Sequence, residues 1–108
     1  MRRELIDYRR DRAKETIEDA KILIGRDRLF SAVNRIYYAM FYEVTALLLT
    51  DNLSSSKHSG IRALFNEKFV KTGKVDTEMG RLFSRMFEFR EKSDYQDFAE
   101  FERIKSKN

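Results

Sequence analysis

Apolar residues fall along this chain in blocks with a helical period. Ile6, Ala13, Ile17, Ala20 and Ile24 recur at steps of seven, four, three and four, which places them on one stripe of a helix over about residues 4 to 24. Gly25-Arg26-Asp27 predicts its end, because glycine turns left-handed after a helix at least cost. From about 28 to 51, Val33, Tyr37, Met40, Val44 and Leu47 make a bulky seam, and Ala32, Ala39 and Ala46 a second seam of small side chains. A small seam lets a neighbouring helix approach closely, so this second helix is predicted to be central. Its remaining face, Asn34, Arg35, Tyr38, Tyr42 and Thr45, is polar and aromatic.

Asp51-Asn52-Leu53-Ser54-Ser55-Ser56 reads as a polar loop whose serines can cap the next helix by accepting its free amides. A third helix is predicted over about 56 to 72 from Ile61, Leu64, Phe65 and Phe69, with Gly73 as its stop. A fourth starts at Asp76 as N-cap, carries Met79, Leu82, Phe83 and Met86, and reaches at least Arg90. Phe98, Phe101 and Ile104 predict a short fifth segment. Short connections make neighbouring helices antiparallel. The expected fold is therefore all-α, an up-and-down antiparallel helical bundle of four main helices plus a short C-terminal helix, in one domain over residues 1–108. The first two helices resemble one tetratricopeptide-type hairpin, but a single unit without an internal repeat does not build a solenoid.

Composition agrees with this class. The chain of 108 residues is 42% hydrophobic and 37% charged and has no proline, so nothing removes a donor from the helical ladders. The absence of cysteine excludes disulfides, thiolate nucleophiles and cysteine-based zinc sites, and is compatible with a reducing compartment. The stretch MRRELIDYRRDR is charged where a signal peptide needs an apolar segment, and no window approaches the roughly 18 apolar residues of a membrane span. A soluble, cytoplasmic protein with no membrane contact is expected. The Asn52-Leu53-Ser54 sequon is then without consequence. A net charge of +4 permits an acidic partner such as nucleic acid, although interleaved acidic residues also fit a solvated helix face.

Few residues offer chemistry. His58, the only histidine, stands in Lys57-His58-Ser59-Gly60 at the start of the third helix, where it can carry a proton, contact phosphate, or simply cap and pack. No strained nucleophile turn or buried acid accompanies it, which excludes a serine hydrolase. No Glu-x-x-His pair supports a di-metal bundle, so neither a metal nor a cofactor is expected. Gly73-Lys74 lacks the upstream glycine and strand of a phosphate loop. Tyr38 and Tyr42, four residues apart beside Asn34 and Arg35, can stack a base and pair a phosphate, or fill a core with hydroxyls at its edge. If the fourth helix continues through EFREKSDYQD, Arg90, Asp94 and Asp97 share a face.

Taken in order, Ala32-Val33-Asn34-Arg35-Ile36-Tyr37-Tyr38-Ala39-Met40-Phe41, Lys57-His58-Ser59-Gly60 leading to Phe65, Phe69-Val70-Lys71-Thr72-Gly73 and Arg90-Glu91-Lys92-Ser93-Asp94-Tyr95 resemble the small prokaryotic HEPN domains (higher eukaryotes and prokaryotes nucleotide-binding). The resemblance covers nearly the whole chain. It implies a helical bundle with a long final helix, a homodimer, and a minimal nucleotidyltransferase as partner in a toxin and antitoxin pair. It also implies, for many members, a metal-independent ribonuclease built on an arginine followed after four to six residues by a histidine. Arg90 matches the arginine, but Tyr95, Gln96 and Asp97 stand where the histidine would be. Tyrosine, with a pKa near 10, is a poor proton shuttle at neutral pH.

Three readings follow. The first is a binding module for nucleotide, RNA or protein, with Asn34, Arg35, Tyr38, Tyr42, Arg90, Asp94 and Tyr95 lining a groove and the ribonuclease motif incomplete. The second is a metal-independent endoribonuclease toxin using Arg90 with Tyr95 or His58. The third is a structural helical adaptor.

Overall fold

The computed structural model of the protein describes residues 2–107. Its elements are α1 (Arg2–Gly25), α2 (Leu29–Thr50), α3 (His58–Phe65), a π-helical turn (Asn66–Val70) and α4 (Thr77–Ser106). The all-α bundle expected from the periodicity is what forms. Among the described residues no helix is long and apolar enough to cross a membrane.

The helix ends show how the chain turns. After α1 the left-handed residue is Asp27, with φ of 59°, not Gly25. The Arg28 amide donates to the Leu23 carbonyl and the Asp27 amide to that of Ile24, which is the Schellman closure. α2 closes in the same way: Asn52 has φ of 60°, and the amides of Leu53 and Asn52 donate to the carbonyls of Leu48 and Leu49. Aspartate and asparagine tolerate this conformation better than other side chains, which is why glycine is not needed at either position. Gly73 is the left-handed residue after the π turn, with φ of 79°. Asp76 caps α4 by accepting the Glu78 amide at 3.2 Å, as the sequence predicts.

Two kinds of packing hold the bundle. Among the described residues α1 packs only on α2. Its buried positions are Ala13, Thr16 and Ala20, and α2 buries Ala32, Ala39 and Ala46, so the two backbones approach through small side chains. The main core lies on the other side of α2. There Tyr37, Val44 and Leu48 pack with Ile61, Phe65, Phe69, Phe83 and Phe87. The widened π turn carries Phe69 into this core, and α4 crosses it closely at Gly80, where an added Cβ would lie 2.8 Å from a Val70 methyl.

Thr16 leaves one account open inside the α1–α2 seam. It is buried and its Oγ1 has no hydrogen-bond partner, whereas the buried Thr45 hydroxyl donates to the Tyr42 carbonyl at 2.9 Å. Valine has nearly the same shape and no polar atom to desolvate. Thr16→Val is therefore expected to raise unfolding stability by about 1 kcal/mol in urea titration, while Thr45→Val gains nothing.

The expected fifth segment is not separate. α4 runs without a break for 30 residues through Ser106. No glycine or proline follows Gly80, and the stretch is rich in helix-forming glutamate, lysine and arginine, so nothing ends the helix between Arg90 and Phe98. Ion pairs Arg90–Asp94 and Arg103–Glu100 lie along it at helical spacing. Beyond Arg90 the helix projects from the bundle, leaving Tyr95, Phe98, Phe101 and Ile104 exposed.

Candidate functional site

The site forms where α2, the start of α3 and the middle of α4 meet. Tyr37 sits on the bulky seam of α2 and is fully buried, yet its side chain ends in a hydroxyl. A buried hydroxyl needs a partner. It finds one in His58 Nδ1, 2.9 Å away across 21 residues of sequence. The imidazole is held from its other side by Phe41, stacked at 4.1 Å between ring centroids, and Tyr38 meets its edge.

The loop before α3 sets His58 in place. Lys57 is the N-cap residue and makes no side-chain cap, so the serines do not cap α3. Instead the Ser55 hydroxyl accepts the Lys57 amide at 3.2 Å and lies over Gly60, where a Cβ would stand 2.1 Å from Ser55 Oγ. Only glycine lets the loop fold back so tightly onto the first turn. The Lys57-His58-Ser59-Gly60 stretch is thus a positioning device for the imidazole, and His58 serves neither as a cap nor as plain packing.

Arg90 enters from α4. Its guanidinium lies 5.6 Å from the Tyr37 ring centroid and 5.5 Å from that of Tyr38, within cation–π range of both. Asp94, one turn on, stands 3.7 Å from it as counterion. A second guanidinium, Arg35, lies 5.1 Å from the Tyr38 ring centroid and donates to Asn34 Oδ1 at 2.9 Å. Asn34, Arg35, Tyr38, Arg90 and Asp94 are therefore gathered as the sequence suggests, with His58 added to them. Tyr95 is not: five residues turn a helix by about 500°, some 140° past Arg90, and Tyr95 is 74% exposed on another face of α4. Tyr42 faces α1, where Arg12 lies 5.4 Å from its ring centroid.

Electrostatics fix the protonation states. Burial pushes the Tyr37 hydroxyl up to about 12, partly opposed by the positive charge of Arg90. Tyr37 thus stays protonated at neutral pH. Burial also lowers the pKa of His58, and Arg90 lowers it further. With the imidazole neutral, the direction of the Tyr37–His58 hydrogen bond follows the ring tautomer: when Tyr37 donates to Nδ1, the ring proton is on Nε2. His58 then offers an N–H beside the Arg90 cation, so both groups are donors suited to an anion.

This shift has a consequence for stability. The folded-state pKa lies below the unfolded value of about 6.5, so the unfolded chain binds a proton first as pH falls. The contribution is fully present above that value and is lost as pH drops through it toward the folded pKa. Since His58 is the only histidine, urea unfolding between pH 7.5 and 5.5 is expected to show a declining stability that His58→Gln flattens.

Sequence reasoning missed Tyr37 as a site residue because it falls on the bulky seam read as core, and gave Phe41 no role of its own. The available signal was a tyrosine at a position where phenylalanine would pack as well. Among the described residues no group of three or more His, Cys, Asp or Glu side chains is arranged to hold a metal ion.

Comparison with known proteins finds a matching family and several relatives. The HEPN domain profile matches residues 6–108. A protein of Thermotoga maritima named "UPF0332 protein" is 58% identical over 98 residues, covering 91% of this chain and 74% of its own. Two proteins of Methanocaldococcus jannaschii bear the name "Putative toxin". One is 34% identical with 86% of this chain and 63% of its own covered, the other 40% identical with 77% and 62% covered. The chain thus spans less than two thirds of either archaeal relative. No solved structure gives a significant match.

Proposed function

Because this chain belongs to the HEPN family, we propose that it is a toxin-like module that binds a phosphate of RNA or of a nucleotide between Arg90 and His58. The observation that carries this reading is the convergence on one buried side chain, Tyr37, of the Arg90 guanidinium over its ring and of His58 on its hydroxyl. A guanidinium and an imidazole gathered on one tyrosine, with the Tyr38 ring against both, can bind a phosphate oxygen and stack a base. Asp94 holds Arg90 in place until a phosphate replaces it. The "Putative toxin" name of the archaeal relatives supports a toxin-like role. On this reading the partner is a minimal nucleotidyltransferase, the protein forms a homodimer, and the exposed Phe98 and Phe101 of α4 supply apolar surface for such contacts.

A second reading, metal-independent RNA cleavage, is favoured by the position of His58. The α4 motif lacks a histidine, yet an imidazole from α3 and the α4 arginine meet on the same tyrosine, Tyr37. In such a reaction Arg90 would hold the scissile phosphate, a free ring nitrogen of the neutral His58 would take the proton of the attacking 2′-hydroxyl as that oxygen bonds phosphorus, and the imidazolium so formed would return the proton to the leaving 5′-oxygen as the P–O bond breaks.

One experiment separates the readings. Fluorescence anisotropy and gel analysis are run on labelled single-stranded RNA in EDTA, with the wild type and Arg90→Ala. Binding without cleavage, weakened at least about tenfold by Arg90→Ala, is the expected result. Cleavage lost in Arg90→Ala would establish the second reading, and equal cleavage by both proteins would mark a contaminating nuclease. No binding by the wild type would sink both and leave the structural adaptor. A pull-down from native extract that recovers no nucleotidyltransferase would count against the partner.

A further inference from the structure

A second concave site opens beside the first. It lies between the first turns of α1, the middle of α2 and the loop leading into α3, with a volume of about 320 Å³, near the lower end of the ~300–1,000 Å³ of small-ligand sites. Tyr8, Arg9, Phe41, Tyr42, Lys57 and His58 line it. Two of these, Phe41 and His58, are the stacked pair that also abuts Tyr37 in the phosphate site. The two sites therefore share a wall.

The lining has a consistent chemistry. Among the described residues neither Arg9 nor Lys57 forms an ion pair, and no carboxylate lines the pocket. Arg12, outside the lining and paired with Glu15 at 3.2 Å, stands over the Tyr42 ring. Tyr8 is 60% exposed, an unusual position for a large ring that contributes nothing to the core. An open tyrosine ring beside unpaired cations is what a single-stranded nucleic acid requires: the ring stacks the base and the cations follow the backbone. An acidic peptide would use the cations and leave the rings idle.

We propose that this pocket holds the nucleotide next to the phosphate bound by Arg90 and His58, its base against Tyr8 and its own phosphate near Arg9 and Lys57. The proposal rests on the RNA-binding reading above and extends it from one phosphate to a two-nucleotide path across the shared Phe41–His58 wall.

The test uses anisotropy with a short labelled single-stranded RNA and with the corresponding abasic strand, on the wild type, Tyr8→Ala, Lys57→Ala and Arg90→Ala. Tyr8 and Lys57 are surface side chains, so the variants fold. Tyr8→Ala is expected to weaken RNA binding roughly fivefold to a hundredfold and to leave abasic-strand binding unchanged, while Lys57→Ala weakens both. Binding of RNA by Tyr8→Ala and Lys57→Ala as tightly as by the wild type, with Arg90→Ala impaired, overturns the second site and leaves the first. Competition by polyglutamate as effective as by RNA also overturns it. Failure of the wild type to bind RNA brings down the underlying reading together with this one.

Discussion

Tyr37→Ala is expected to lower unfolding stability by about 3–5 kcal/mol, the usual cost of truncating a buried aromatic, and to abolish whatever the site binds. The ring touches Phe83 and Phe87 of the core and Tyr38, Phe41 and His58 of the site, with Arg90 over it. Core and site therefore share one side chain. Tyr37→Phe isolates the hydroxyl. It keeps the ring and removes only the donor to His58, which costs about 0.5–1.5 kcal/mol, the net worth of one hydrogen bond. Nitrogen-15 NMR of the imidazole should then show the Nε2-protonated tautomer giving way to a mixture, since nothing else reserves Nδ1. A His58 tautomer unaffected by Tyr37→Phe would mean that the hydroxyl does not set the donor character of the site. Urea titration of both variants completes the comparison, because only the alanine should be severe.

The second large effect is expected at Phe83. It is fully buried, stacked parallel to Tyr37 at 6.0 Å between centroids and edge-on to Phe65 at 5.5 Å. Phe83→Ala should cost about 3–5 kcal/mol, a large part of the ~5–15 kcal/mol that stabilises an ordinary domain. Phe98, fifteen residues further along the same helix, is 64% exposed. Phe98→Ala should change the stability of the isolated chain by no more than about 0.5 kcal/mol. The contrast checks that α4 belongs to the core in its first half and projects in its second. Equal costs for the two variants would mean that the projecting half folds back onto the bundle.

The same helix shows where sequence reading met its limit. Phe98, Phe101 and Ile104 have helical spacing, and spacing alone suggests a separate amphipathic segment. What joins them to the fourth helix is the absence of any breaker after Gly80, a signal present in the sequence and outweighed there by the polar stretch at Arg90. Once continuity is recognised, the position of Tyr95 follows: Asp94 shares a face with Arg90 and its neighbour in sequence cannot. The serines before α3 were a different matter. They look like caps, but Ser55 is engaged with Gly60 across the loop, a contact that depends on how the chain folds back.

The chain by itself determined the class, the two seams of α2, the stop at Gly73 and the cap at Asp76. Each of these is written in residues three or four apart, or in one residue's backbone preference, and such local rules hold wherever the helix packs. Only the tertiary structure decided that His58 meets Tyr37 and that Arg90 lies over both Tyr37 and Tyr38. Those contacts join α2, α3 and α4 across long stretches of sequence, and no local period encodes which faces of three helices converge. The missing histidine of the α4 motif is a local fact. The imidazole that stands beside Arg90 all the same comes from another helix, brought there by core packing around Tyr37 and by a glycine that lets the preceding loop close.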